Sequence, residues 1–251
     1  MRLDVTQRKV GEVEQEWIDN LLEFLDQNEE DWFVDNYRKA AGGMYHCHSI
    51  PLRHSWQCIL PATDIGSDTT DLDQIKSITN RVLYDKYESY LQPFIDRLQE
   101  IYPKSTDMAY FISRLAPGKD IGGHTDNSLF GMGCHRVHIP LRTSPEVEYI
   151  IADDPCHNPK LPEDECPECY GKTPLSSFYW EAGNVYEFSQ DRWHMVHNGS
   201  DDYRIHLVIN VYNYTDEFWE NYNNATRKEK RIINDEWQEY YRNKSNGVDI
   251  I

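Results

Sequence analysis

The chain has 251 residues, 39% of them hydrophobic and 13% aromatic, enough to bury a substantial core. Its 43 acidic against 25 basic residues give a formal charge of −18, which argues against nucleic acid as a partner because no basic stripe exists to displace counterions. No stretch approaches the roughly 20 consecutive apolar residues of a membrane helix, and residues 1–7 lack the apolar centre of a secretory signal, so a cytoplasmic chain without a membrane partner is expected.

Residues 11–30 predict an amphipathic helix, with Trp17, Ile18, Leu21, Leu22 and Leu25 at helical spacing. A second helix is expected over roughly 71–100, striped by Leu72, Ile75, Ile78, Val82, Leu83, Leu91, Phe94 and Leu98, with Asp71 as its N-cap and Pro93 as a kink or break. Between them, residues 42–70 read as irregular with one or two strands. From 108 the texture turns to β. Met108–Leu115, Arg136–Arg142, Val147–Ala152, Asn184–Ser189, His194–His197 and Tyr203–Asn213 are short runs rich in Val, Ile, Tyr and Phe, separated by turn residues. Residues 153–176, rich in Pro, Cys and acids, read as an insertion between strands. The expected organisation is one domain over 1–251. It comprises helical support over 11–100, a β core over 108–213 carrying the insertion, and a C-terminal helix over 214–251.

The chemistry concentrates in two places. His124-Thr125-Asp126 follows a Gly-Gly turn, and in an extended segment residues i and i+2 share a face, so both side chains can meet one metal. A second histidine arrives in His194-Met195-Val196-His197, near the end of the β region, which barrel closure brings back towards the first strands. Two His and one carboxylate with open positions suit non-haem Fe(II) and oxygen chemistry. By itself the His-x-Asp triplet also suits a surface loop with a capping Asp. His194 and His197 fall on opposite faces of a strand, and His194 is preferred because it shares its face with Val196. Arg204 opens an otherwise apolar strand, where a charge is costly unless paired. A bound carboxylate would account for it through bidentate hydrogen bonds, and neutralisation of Asp201 or Asp202 is the alternative. Arg136 and His138 share one face of their strand, which suggests an anion site or else a solvent-facing strand.

Taken together, Phe111-Ile112-Ser113-Arg114-Leu115-Ala116-Pro117-Gly118 through His124-Thr125-Asp126, then Cys134-His135-Arg136-Val137-His138, then His194-Met195-Val196-His197-Asn198 with Arg204 resemble the signatures of the aspartyl/asparaginyl β-hydroxylase family. The resemblance covers about 108–213. It implies a mainly β fold with flanking α-helices, a double-stranded β-helix (jelly roll, cupin-like), and the use of Fe(II), 2-oxoglutarate and O2. It also implies that His124, Asp126 and His194 ligate iron, that Ser113 and Arg204 hold the distal carboxylate of 2-oxoglutarate, and that Arg136 and His138 contact the carboxylate that chelates iron. Asp126 is a departure from those animal members that lack the ligand carboxylate, and it speaks against halogenation. The implied activity is hydroxylation of an unactivated C–H of an amino acid, a peptide or protein side chain or a related small molecule, with release of succinate and CO2. A non-catalytic cupin-like protein that binds the metal and 2-oxoglutarate for sensing is the alternative.

Six cysteines at no regular spacing do not suggest a disulfide framework. Cys166 and Cys169 have the spacing of a zinc knuckle, for which Cys156 and His157 are the nearest further ligands. Free thiols are the competing reading. His46, Cys47 and His48 form another dense cluster, open to core packing or to a substrate cleft. Tyr179, Trp180 and Trp193 either shape that cleft or pack the core.

Overall fold

A computed structural model describes residues 7–34, 47–55, 78–124, 134–153, 174–188, 192–214, 216–226, 228–230, 232–233 and 236. Its strands are β1 (Gln7–Glu12), β2 (Cys47–Ser55), β3 (Ile78–Asn80), β4 (Asp107–Leu115), β5 (Lys119–His124), β6 (His135–Arg142), β7 (Val147–Ala152), β8 (Leu175–Phe178), β9 (Asn184–Phe188), β10 (His194–Asn198) and β11 (Arg204–Tyr212). The helices are α1 (Gln15–Gln27), α2 (Tyr84–Ile101) and α3 (Asp216–Asn224).

Two antiparallel sheets form among the described residues. The larger has the order β1-β9-β6-β11-β4-β2-β3 and the smaller β5-β10-β7-β8. Sequence neighbours such as β4 and β5, or β10 and β11, lie in different sheets, so the chain crosses repeatedly from one to the other. This crossing makes a jelly roll, the double-stranded β-helix. Central strands β4 and β11 are buried along almost their whole length, as strands covered on both faces must be.

Side-chain alternation divides the large sheet into two faces. Ile50 and Leu52, Met108, Tyr110 and Ile112, Val137, Ile139 and Leu141, and Ile205, Leu207, Ile209 and Val211 pack outward against helices α1 and α2. Those helices answer with Ile18, Leu21 and Leu25, and with Tyr87, Leu91, Phe94 and Leu98. Full burial of each such side chain is worth roughly 1.5–3 kcal/mol, so this layer anchors the sheet. The residues in between face the smaller sheet. There Cys47, Leu115, Ile121, Val147, Tyr149, Trp180, Tyr186 and Val196 form a second cluster.

Both long helices are shorter than the sequence pattern suggests, because strand pairing competes at their ends. Gln7–Glu12 pairs with β9, so α1 starts at Gln15 rather than 11, and the chain tightens into a 3-10 turn over Glu29–Phe33 after Gln27. Ile78–Asn80 pairs with β2, so α2 starts at Tyr84 and not near 71. Asp71, Leu72 and Ile75 lie outside the described residues. Helix α2 continues through Pro93, whose missing N–H leaves the carbonyl of Ser89, on the exposed side, without its helical donor. None of the described helices is long and apolar enough to cross a membrane.

The insertion expected over 153–176 ends earlier than its composition suggests, since Leu175 and Ser176 belong to β8. Its base is closed by the Asp153 N–H donating to the Pro174 carbonyl at 2.9 Å and the Ser176 hydroxyl donating to Asp153 Oδ1 at 2.5 Å. Cys156, His157, Cys166 and Cys169, with the zinc expected there, lie outside the described residues, as does His46. Of the expected C-terminal helix, Asp216–Asn224 is described as α3, and its Phe218 and Tyr222 stack towards Tyr214.

One ionic cluster ties the outer edge of the large sheet together. Glu187 on β9 accepts hydrogen bonds from His135 Nδ1 at 2.6 Å, from Arg8 Nη2 at 2.6 Å and from the Tyr102 hydroxyl at 3.2 Å. Burial alone would raise its pKa, but His135 and Arg8 outweigh burial and hold the carboxyl at about 2, against 4.5 in an unfolded chain. A depressed folded pKa contributes stability above the unfolded value and loses it as pH falls through the folded one. The contribution, on the order of 3 kcal/mol, is therefore present above pH 4.5 and fades between 4.5 and about 2. Urea midpoints measured over this acid range should fall more steeply for the parent chain than for Glu187→Gln. Equal slopes would show that the cluster carries no such linkage.

Candidate active site

Strands β5 and β10 pair so that His124 and His194 stand directly opposite each other. Their ring centroids are 4.3 Å apart. Each imidazole is held by its Nδ1 against a backbone carbonyl two residues earlier in the chain, Gly122 for His124 and Arg192 for His194, both at 2.8 Å. A carbonyl can only accept, so Nδ1 donates in both rings, and in the neutral imidazole Nε2 is then the nitrogen that carries the lone pair. Metal-binding histidines are commonly fixed in this way, because the second bond sets tautomer and ring orientation.

The residues preceding the two histidines lock together on the other side of the ladder. A Cβ at Gly123 would run into the indole of Trp193, so only glycine lets the buried Trp193 lie across β5. Trp193 therefore packs beneath the histidine pair. His197 points the other way, with its Nδ1 2.6 Å from Asp120 Oδ1 at the surface, whereas His194 and Val196 are buried. Asp126 lies outside the described residues.

On the facing sheet, the inner positions of β11, β4, β2 and β6 carry an unusual number of polar groups. Arg204 pairs with Leu115, and His206 with Ser113. Ser113 is also opposite Ser49 and lies 3.3 Å from the Cys47 thiol. Arg136 and His138 sit opposite Asn210 and Val208, so both take the inner face, and the solvent-facing alternative for that strand is excluded. Arg204 is only 2% exposed, yet among the described residues no carboxylate forms an ion pair with it. Neutralisation of Asp202 falls instead to Arg142, at 4.0 Å. A buried guanidinium in such surroundings suits an anionic guest.

The two halves of the site meet through aromatic rings. Half-buried Phe188 has its ring centroid 5.1 Å from His194 and 5.1 Å from His138, so it bridges the histidine pair to the large sheet. Trp180 is fully buried and stacks on Tyr149 at 3.9 Å, which makes it a wall of the barrel interior. Tyr149 and His206 escaped the sequence reading. Both sit at apolar-patterned strand positions, and nothing local distinguishes them from core residues. His206 stands two residues after Arg204 on the same face, which was the one available signal.

Residues 94–214 match the family model described as aspartyl/asparaginyl β-hydroxylase. The matched residues make up just under half of the chain, and over them it is similar to that family. The protein is accordingly a hydroxylase of the 2-oxoglutarate- and Fe(II)-dependent oxygenase type, and such enzymes in general use Fe(II), 2-oxoglutarate and O2. No curated protein matches the sequence. Among solved structures, an oxidoreductase of the 2OG-Fe(II) oxygenase family from Burkholderia pseudomallei is 13% identical, with 67% of each chain covered and a TM-score of 0.40. A Pseudomonas putida prolyl-4-hydroxylase is 10% identical over 83% of this chain and 92% of that one, with a TM-score of 0.44. The non-haem epimerase SnoN from nogalamycin biosynthesis is 12% identical over 83% and 78%, with a TM-score of 0.46. These likenesses are loose, and the jelly roll of the hydroxylase stands on its own sheet order.

The donor set fits what the family requires. Two facing imidazoles that each donate through Nδ1 suit a divalent first-row metal, which neutral imidazole ligates through Nε2. A buried arginine at the closed interior suits the far end of a dicarboxylate. Burial pushes the Tyr149 phenol up to about 12 although Arg204 pulls it down, so the hydroxyl stays protonated at neutral pH.

Proposed function

We propose that this hydroxylase holds Fe(II) through His124, Asp126 and His194, and 2-oxoglutarate through Ser113, Arg136, His138 and Arg204. The proposed reaction places a hydroxyl on an unactivated C–H of an amino acid, a peptide or protein side chain or a related small molecule, and releases succinate and CO2. The observation that carries the reading is the convergence of His124 and His194, 70 residues apart in sequence, with both Nδ1 atoms engaged by backbone carbonyls. The buried guanidinium of Arg204 on the facing sheet supports it independently.

In this reading Arg204 and Ser113 bind the distal carboxylate, and Arg136 and His138 orient the proximal one, so the oxo-acid lies along the barrel interior. When bound, the metal supplies the oxygen activation that side chains cannot perform. The protein's own part is to bind, orient and exclude water. Trp180, Tyr149 and Phe188 wall the interior with apolar rings, and the Trp193–Gly123 contact keeps the histidine pair in register. Orientation of this kind is where the chain itself lowers the barrier.

The test is succinate formation by purified protein supplied with Fe(II), O2, 2-oxoglutarate and a panel of amino acids and peptides. Succinate that requires all three and rises with one class of acceptor is expected. Tight 2-oxoglutarate binding without succinate across the whole panel would favour the sensing role and overturn the enzymatic one.

A further inference from the structure

Two buried side chains beside Arg204, Tyr149 and His206, bind neither the metal nor the oxo-acid in the assignment above. Tyr149 stands on β7 of the smaller sheet, opposite Val196 of β10, and its hydroxyl crosses the barrel to the larger sheet. There it accepts a hydrogen bond from Arg204 Nε at 2.7 Å and a second from Arg204 Nη2. A phenol oxygen accepts two hydrogen bonds and donates one. With both acceptor positions filled by a permanent cation, its single proton must go to another acceptor. His206 is in place, with its two nitrogens 3.0 and 3.1 Å from that oxygen and no solvent exposure. Burial, with Arg204 and His138 nearby, holds His206 well below the ordinary imidazole pKa, so the ring is neutral and has a lone pair to offer. His206 Nδ1 in turn lies 3.4 Å from His138 Nδ1.

We propose that Tyr149 is a positioning residue for the dicarboxylate cosubstrate, occupying two of Arg204's donors, with His206 taking its proton, so that the remaining donors are held in one orientation towards the distal carboxylate. This rests on the assignment of Arg204 given under the proposed function. The arrangement makes recognition of the second carboxylate depend on a hydroxyl that never touches the metal. It also accounts for the row of polar groups Arg204, Tyr149, His206 and His138, which an inert barrel filling would not need.

The experiment compares Tyr149→Phe with the parent chain, both loaded with redox-inert Mn(II). Calorimetry on these Mn(II) proteins measures binding of 2-oxoglutarate and of pyruvate, which lacks the distal carboxylate, and steady-state kinetics on the same chains loaded with Fe(II) in the presence of O2 separates KM from kcat. Loss of a hydrogen bond to a charged group predicts 2-oxoglutarate binding weaker by roughly 10- to 100-fold. Pyruvate binding should be unchanged and kcat at saturating 2-oxoglutarate largely retained. His206→Leu, which removes the proton acceptor and keeps the hydroxyl, should weaken 2-oxoglutarate in the same selective way, and it serves as the second variant should Tyr149→Phe fold poorly. Equal weakening of both acids would mean a general loosening of the barrel and would overturn the proposal. So would unchanged 2-oxoglutarate affinity in both variants. If the parent chain itself binds pyruvate but not 2-oxoglutarate, the assignment of Arg204 falls first and takes this proposal with it.

Discussion

His194→Ala is expected to lose metal binding by more than about 100-fold, beyond the 10- to 100-fold typical of removing a group that merely orients a ligand. 2-Oxoglutarate-dependent turnover should disappear with it. The argument is geometric. The two Nε2 lone pairs belong to rings 4.3 Å apart, and neither ring can be replaced by its neighbours, because His197 faces Asp120 at the surface. His197→Ala is the control. It removes an exposed hydrogen bond to Asp120 and should leave metal binding and turnover as they were. Calorimetric titration of both variants with Mn(II), alongside thermal melts, separates the outcomes. Retained metal affinity in a folded His194→Ala protein, or its loss in His197→Ala, would mean that the wrong histidine has been assigned.

Arg204→Met should move two quantities in opposite directions. Cosubstrate affinity should drop by roughly 30-fold or more, since truncating one partner of a buried, hydrogen-bonded charge pair costs 2–5 kcal/mol. Thermal stability of the protein without cosubstrate should hold or rise. The guanidinium is buried with no carboxylate among the described residues to pair with it, and replacing a buried charge by an apolar side chain of similar volume is often neutral or stabilising. Arg204→Lys should sit between the two, keeping the charge and losing the fork. Binding titrations and melts on the three proteins decide the matter. If Arg204→Met is destabilised by several degrees and still binds 2-oxoglutarate normally, Arg204 is a structural residue.

Much of the β core was legible from local pattern. The runs Met108–Leu115, Arg136–Arg142, Val147–Ala152, Asn184–Ser189, His194–His197 and Tyr203–Asn213 each became a strand within a residue or two at either end, because alternation and β-branched content are local properties. The placement of His194 and His197 on opposite faces followed from the same periodicity. Strands β1, β3, β5 and β8 were not legible. Gln7–Glu12 and Lys119–His124 are polar or glycine-bearing and become strands only because β9 and β10 offer them edges to pair with. The same competition trimmed both long helices, since a helical stripe says where a helix can form and not where a partner strand will claim its end.

The sequence by itself determined which residue types are available: two histidines, an Asp two positions after the first, and an arginine in an apolar strand. Their chemistry suits one metal and one dicarboxylate wherever the chain carries them. Only the tertiary structure decided which of them meet. Ladder register puts His124 opposite His194 in the smaller sheet and, in the larger sheet, whose outer face packs against α1 and α2, puts His206 opposite Ser113. A slip of one residue would turn each of these side chains to the other face. The partnership of Arg204 with Tyr149 lies one step further from the sequence, because it joins strands of different sheets across the barrel, and no spacing along the chain encodes a contact made through the interior.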